Sequence, residues 1–160
     1  MSILVQTKLY HSLWKDFLMS TVAKVFVITG TASGTGNVAA RIVAKLGGVA
    51  VLLNGKSERS NKSLAAMKED NPEGKLCPSS ATCKASSLSR KPSLRSRAST
   101  LAFIASHNAG IMATPDKATV NGYNTQMQTD HLSHFLLVEE LMPVLGAGAA
   151  ANVAARIAAI

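Results

Sequence analysis

The chain has 160 residues, enough for one domain with a single hydrophobic core. Its 47% apolar content argues against a disordered protein, and its two cysteines exclude a disulfide scaffold or a four-cysteine zinc site. No apolar run approaches the ~20 residues of a membrane span, and the net charge of +8 favours phosphate-bearing partners: a nucleotide, a nucleic acid or an anionic membrane.

Residues 1–23 place Leu9, Leu13 and Phe17 at helical spacing, which predicts an amphipathic extension ahead of the domain, packed or frayed. No small-residue cleavage site follows a proper apolar stretch, which argues against a secretory leader or other targeting peptide. Lys24 to Gly30 is a continuous apolar run ending in glycine, the pattern of a strand buried on both faces. A glycine-rich turn leads into a predicted helix from Asn37 to Leu46, stopped by Gly47 and Gly48. Val49 to Leu53 reads as a second buried strand, Ser60 to Asp70 as a helix, and Asn71-Pro72-Glu73-Gly74 as a turn. Strand and helix alternate, as they do in parallel α/β sheets.

Residues 79–99 hold eight serines and five basic residues, and the third strand expected there is not visible by periodicity. Leu101 to Ala105 is another short apolar run, ending at His107-Asn108-Ala109-Gly110. Asn121 to Met142 has helical phase, and Pro143 is expected to end it. The last 14 residues contain eight alanines and read either as a helix by propensity or as a poor strand at 153–160.

The strongest chemical signal is Thr29-Gly30-Thr31-Ala32-Ser33-Gly34-Thr35-Gly36. Glycines let the backbone turn tightly and approach a pyrophosphate, and the helix that follows offers free N–H groups and the positive end of its dipole. The strand before it, the helix after it and a second strand some twenty residues on are the context such a site requires.

The spacing is Thr-Gly-x-x-x-Gly-x-Gly. With Asn108-Ala109-Gly110, "LLNGKSERS" at 52–60, "NAGIMATP" at 108–115 and "GYNTQMQTDHLSHFLL" at 122–137, it resembles the short-chain dehydrogenase/reductase family, in particular members related to retinol dehydrogenases and protochlorophyllide reductases. The resemblance covers residues 24–160, more weakly at 76–100. It implies a Rossmann-type doubly wound parallel sheet, α/β in class and incomplete at its C-terminal end. It puts Thr29, Gly30, Ser33, Gly34 and Gly36 along the pyrophosphate and adenosine ribose, and Asn108, Ala109 and Gly110 beside the adenosine end. Thr35 stands where the family usually has Ile or Leu, so the turn is expected to pack less well.

An NAD site usually carries an acid near the end of the second strand. Here the strand ends Leu53-Asn54-Gly55-Lys56, so NADP is expected in preference to NAD, with Lys56 and Arg59 in reach of a 2′-phosphate. In the family a Tyr and a Lys four residues on perform the proton transfer, and a Ser polarises the substrate oxygen. The two tyrosines of this chain, Tyr10 and Tyr123, are followed four residues on by Trp14 and Met127. Asp130 matches a supporting Asn, Lys84 an adenine-contacting Asp, and His107 the first Asn of an Asn-Asn-Ala-Gly pattern. The resemblance therefore implies an NADP-binding domain of an oxidoreductase family, inactive alone, without catalytic residues of its own. The alternatives are a non-enzymatic partner of a full-length reductase and a basic nucleic-acid-binding protein. A homo-oligomer, or pairing with a full-length relative, is expected from an uncovered edge at the last strand. The basic segment at 87–99 lacks interleaved aromatics for stacking on bases. His131 and His134 are weak metal candidates, and Cys77 and Cys83 read as thiols of a reducing compartment, cytoplasmic or organellar.

Overall fold

The computed structural model describes residues 21–22, 24–80, 102–150 and 155–159. The N-terminal extension with Trp14, the Ser- and Arg-rich stretch with Cys83 and Lys84, and Leu101 lie outside the described residues.

The elements run β1 (Lys24–Thr29), α1 (Gly34–Lys45), β2 (Val49–Asn54), α2 (Glu58–Asp70), β3 (Lys75–Ser80), β4 (Ala102–His107), α3 (Thr125–Met127), a π-helical turn (Gln128–Leu132), α4 (Ser133–Ala150) and β5 (Ala155–Ala159). All strand pairs are parallel, and the sheet order is β3-β2-β1-β4-β5. The chain builds outward from β1 on one side, then returns to β1's other side with β4. The switch point of this doubly wound sheet therefore lies between the C-terminal ends of β1 and β4, where ligands bind in such folds.

Alternation along β1 and β2 sorts the core onto two faces. Val25, Val27, Val51 and Leu53 pack with Ala105 and with Leu137, Leu141 and Leu145 of α4. Ile28, Ala50 and Leu52 pack on the opposite face with Ala40 and Val43 of α1 and Met67 of α2. Both faces are covered, which is why these strands read as unbroken apolar runs.

Four elements differ from the sequence reading. The first helix begins at Gly34, not Asn37: Gly34 and Gly36 have poor helix propensity, but Gly36 is buried under the switch point and held in the helix by tertiary packing. The second begins at Glu58, because the Ser57 side chain accepts a hydrogen bond from Ser60 N (3.1 Å) and caps it. The third strand is Lys75–Ser80, largely ahead of the serine-rich stretch. Its Pro78 has no N–H to donate, and β3 is an edge strand, the place in a sheet where proline is tolerated. Pro143 does not end the long helix, which continues to Ala150. Proline removes one helical hydrogen bond, but burial of Leu137, Leu141 and Leu145 on the sheet carries the helix past it. Of the two readings of the C-terminus, the strand is the one present, at Ala155–Ala159 beside β4.

Arg41 is buried on α1 and forms an ion pair with Asp70 at the end of α2, while its Nε donates to Asn37 Oδ1 (2.8 Å). Burial pushes the Arg41 pKa below its usual value. Removing the carboxylate leaves this charge uncompensated in the interior. Asp70→Asn is expected to destabilise the fold by about 2–3 kcal/mol, less than a fully buried pair because Asp70 is partly open to solvent. Urea unfolding checks it, and an unchanged midpoint refutes it.

Candidate functional site

The switch point is built on Thr29, the last residue of β1, which is 1% exposed. Its Oγ1 accepts hydrogen bonds from the amides of Asn108 and Ala109, both at 2.9 Å. The Asn108 side chain reciprocates: its Nδ2 donates to the carbonyls of Thr29 (3.0 Å) and Gly30 (3.3 Å). These bonds span about eighty residues of sequence and lock the end of β4 onto the glycine turn.

Glycine is required at two places in that turn. Gly30 has φ +71°, and a Cβ there would lie 2.7 Å from Ala109 Cα. Gly34 has φ +64°, but a Cβ there would meet nothing within 4 Å. The first position is closed by the protein itself, and the second opens onto unfilled space above the start of α1. Thr35, expected to loosen the turn, instead donates its hydroxyl to Asn108 Oδ1 (2.6 Å).

The start of α1 is left uncapped. Ser33 occupies the N-cap position in extended conformation but makes no side-chain capping bond, and the first turn carries no acid. Ser33, Gly34 and Thr35 are exposed. The first N–H groups of a helix have no intrahelical acceptor, and the dipole adds partial positive charge there. A pyrophosphate fits this arrangement: open space over Gly34, unclaimed amide donors and no competing carboxylate.

The end of β2 is tied to the same turn. Thr31 N donates to Asn54 Oδ1 and Asn54 Nδ2 donates to Thr31 Oγ1, each at 2.7 Å. Beyond Asn54, Gly55 and Lys56 are exposed, and Arg59 is exposed on the first turn of α2. The Thr31 carbonyl accepts from Asn37 Nδ2 (3.1 Å) and Ser63 Oγ (3.0 Å), joining the turn to α1 and α2.

The sequence-derived residues thus fall into three groups. Ser33 and Gly34 form the open surface of the turn. Thr29, Gly30, Gly36, Asn108 and Ala109 lie beneath it as its supports. Lys56 and Arg59 stand at the end of β2 and the start of α2. Gly110 and Asp130 meet on the other side of β4, where Asp130 Oδ1 accepts from Ile111 N (2.9 Å) and a Cβ on Gly110 would lie 3.7 Å from that oxygen. A cavity of ≈ 580 Å³ opens there, lined among others by Ile111, Met112, His131 and Phe135. Among the described residues no group of three or more His, Cys, Asp and Glu side chains is placed to hold a metal ion, and no helix is long and apolar enough to cross a membrane.

Sequence reasoning did not single out Asn54, Asn37, Ser63 or Arg41, and it treated His107 and His134 separately. The structure stacks the two histidines, with ring centroids 4.8 Å apart and planes within 10°. Asn54 was legible in principle as a polar residue ending an apolar strand beside the turn. The histidine pair was not, because its members lie on different elements.

A parallel sheet with a glycine-cornered turn at its switch point and an open helix start above it defines a Rossmann-type dinucleotide fold. No family model matches the chain. The short-chain dehydrogenase/reductase prx1 of Penicillium roqueforti is 32% identical over 122 residues, covering 76% of this chain and 35% of that protein. A crystal structure of an uncharacterized protein from Mycobacterium paratuberculosis superposes with TM-score 0.63 at 30% identity, over 80% of this chain and 45% of that one. A short-chain dehydrogenase from Shigella flexneri 2a, complexed with NADP, shares the fold at TM-score 0.59 and 20% identity, over 80% of this chain and 56% of that one. The chain belongs to the short-chain dehydrogenase/reductase family and spans about a third of the length of the curated relatives it matches.

Proposed function

We propose that this chain binds NADP(H) at the β1–α1 turn, with NADP preferred over NAD, as the dinucleotide-binding part of a short-chain oxidoreductase. The uncapped, acid-free start of α1 beneath the open space at Gly34 is the observation that carries this reading. Its amides would hold the pyrophosphate, and Thr29 and Asn108 would keep them in place. The cofactor supplies hydride chemistry when bound. Preference for the 2′-phosphate rests on Asn54 standing at the end of β2 without an acid beside it, and on Lys56 and Arg59 standing exposed just beyond. The NADP carried by the Shigella flexneri relative agrees with this choice.

Calorimetric titration with NADPH and with NADH tests it. A charge-assisted contact contributes about 1.5–3 kcal/mol, so NADPH should bind roughly 10- to 100-fold tighter than NADH. The Lys56→Ala/Arg59→Ala variant should lose most of that margin and leave NADH affinity unchanged. Equal affinity for the two cofactors overturns the NADP assignment, and no binding of either overturns the site.

A further inference from the structure

His107 ends β4 and His134 lies in the first turn of α4, and each is 8% exposed. His134 is held at both ring nitrogens. Its Nδ1 lies 3.1 Å from the Asp130 backbone carbonyl, and its Nε2 lies 3.1 Å from Thr29 Oγ1. A carbonyl only accepts, so Nδ1 carries the hydrogen and Nε2 of the neutral ring accepts the Thr29 hydroxyl; the network assigns the tautomer. The Thr29 oxygen is then left to accept the amides of Asn108 and Ala109, which wall the phosphate turn. A proton added at Nε2 turns an acceptor into a donor. It would be aimed at an oxygen that already takes two N–H groups, and the nearest other acceptor for the Thr29 hydrogen is the Ser106 carbonyl at 3.5 Å.

His107 makes the arrangement less tolerant of charge. Its Nε2 is buried without a hydrogen-bond partner. Protonation makes both ring nitrogens donors, and the two rings cannot both be charged 4.8 Å apart without strong repulsion. Burial first, then the charge of His134, pushes the His107 pKa below its usual value.

We propose that His134, with His107 stacked on it, is a positioning residue for dinucleotide binding: its neutral ring fixes the Thr29 hydroxyl, and a proton taken up by the stacked His107 disturbs that ring and the Asn108–Ala109 wall it supports. The effect on cofactor rests on the NADP reading above; the effect on the fold does not. Among the described residues few other charges adjoin the pair. Asp130 and His131 line the adjoining cavity, and the Asp130 carboxylate is engaged by Ile111 N. β1 contributes uncharged Thr29. β5 sets Ala159 beside His107, and its Arg156 lies in register with Ile104, three residues back along β4. Glu139 and Glu140 lie further along α4.

The sign follows from the lowered His107 pKa. The unfolded chain takes up the proton first, at about pH 6.5. The stabilisation is whole above that value and is lost as pH falls through it towards the lower folded value. The experiment measures the melting temperature of the cofactor-free 160-residue chain, and its NADPH affinity, from pH 8.0 down to about 5.5 for wild type, His107→Asn and His134→Gln. The 2′-phosphate titrates identically in all three, so differences between them report the protein. Wild type should lose melting temperature below about pH 6.5, and more NADPH affinity over that range than His107→Asn. The histidine ring nitrogens followed by NMR should show His134 protonated at Nδ1 alone at pH 7.5. If His134→Gln does not fold, His107→Asn and the NMR tautomer still decide. Parallel pH profiles for wild type and His107→Asn, or a hydrogen on Nε2 of His134, overturn the proposal. Absence of NADPH binding at every pH overturns the proposed function instead, and the melting profile still tests the histidine pair.

Discussion

Mixed with NADPH and a panel of aldehydes, ketones and quinones, the 160-residue chain is expected to oxidise the cofactor no faster than buffer. The family chemistry that the resemblance implies needs a proton donor held beside the substrate oxygen: a tyrosine whose pKa, ordinarily ~10, is drawn down by a lysine one helical turn away. Neither Tyr10 nor Tyr123 has that lysine. Tyr123 is 55% exposed, ahead of α3, with its carbonyl bonded to Thr119 N. Asp130, which the resemblance matches to a supporting amide, has its carboxylate on Ile111 N. Loss of general-acid assistance alone removes about 10²–10⁴-fold. Loss of the groups that orient the reacting atoms removes several further powers of ten. Absorbance of the reduced nicotinamide is the readout. Turnover that follows the purified protein and disappears in Gly34→Glu, which fills the open space with a charge, would show that other residues of this chain do the chemistry.

Replacement of Gly36 is expected to damage both fold and binding. Gly36 is buried on the first turn of α1, where a Cβ would press on the Asn108 amide and lie 2.6 Å from the Gly30 carbonyl oxygen. Neither neighbour can yield easily. The carbonyl belongs to the turn, and the Asn108 amide is the group that ties β1 to β4. Overpacking of this kind costs about 1–3 kcal/mol, and here Gly36→Val belongs at the upper end because backbone must move. That is a large share of the ~5–15 kcal/mol by which a domain is stable. Urea unfolding should show a lower midpoint, and calorimetry should show NADPH affinity reduced by at least about 100-fold, equivalent to roughly 2.7 kcal/mol. Gly55→Val is the contrasting substitution: a Cβ there meets nothing within 4 Å. If the two variants unfold alike, the close approach at Gly36 does not matter as argued.

The alternating strands and helices and the placing of the glycine turn between β1 and α1 follow from local features of the sequence. Strands buried on both faces must be apolar throughout, so β1 and β2 announce themselves as runs. A turn that takes positive φ or packs this closely on its own neighbours must be glycine, so Gly30, Gly34 and Gly36 announce the turn. The resemblance added the family, and with it Asn108 to Gly110. Elements whose local signal opposes their final state were read less well. Gly34 to Gly36 look like loop yet open a helix, Pro143 looks like a stop yet is carried through by buried leucines, and β3 with Pro78 survives because it is an edge.

Which side chains meet was decided by the tertiary structure alone. Thr29 and Asn108 are 79 residues apart in the chain, Thr31 and Asn54 are 23 apart, and Thr29 and His134 are 105 apart. Propensity and periodicity register neighbours within a few turns, whereas these contacts come from parallel strands brought into register by their crossovers. A buried polar atom takes whatever partner the packing brings within reach. The sequence alone therefore showed a glycine turn between a strand and a helix, but not that Asn108 supports it from below, that Asn54 anchors it to β2, or that a stacked pair of histidines stands behind Thr29.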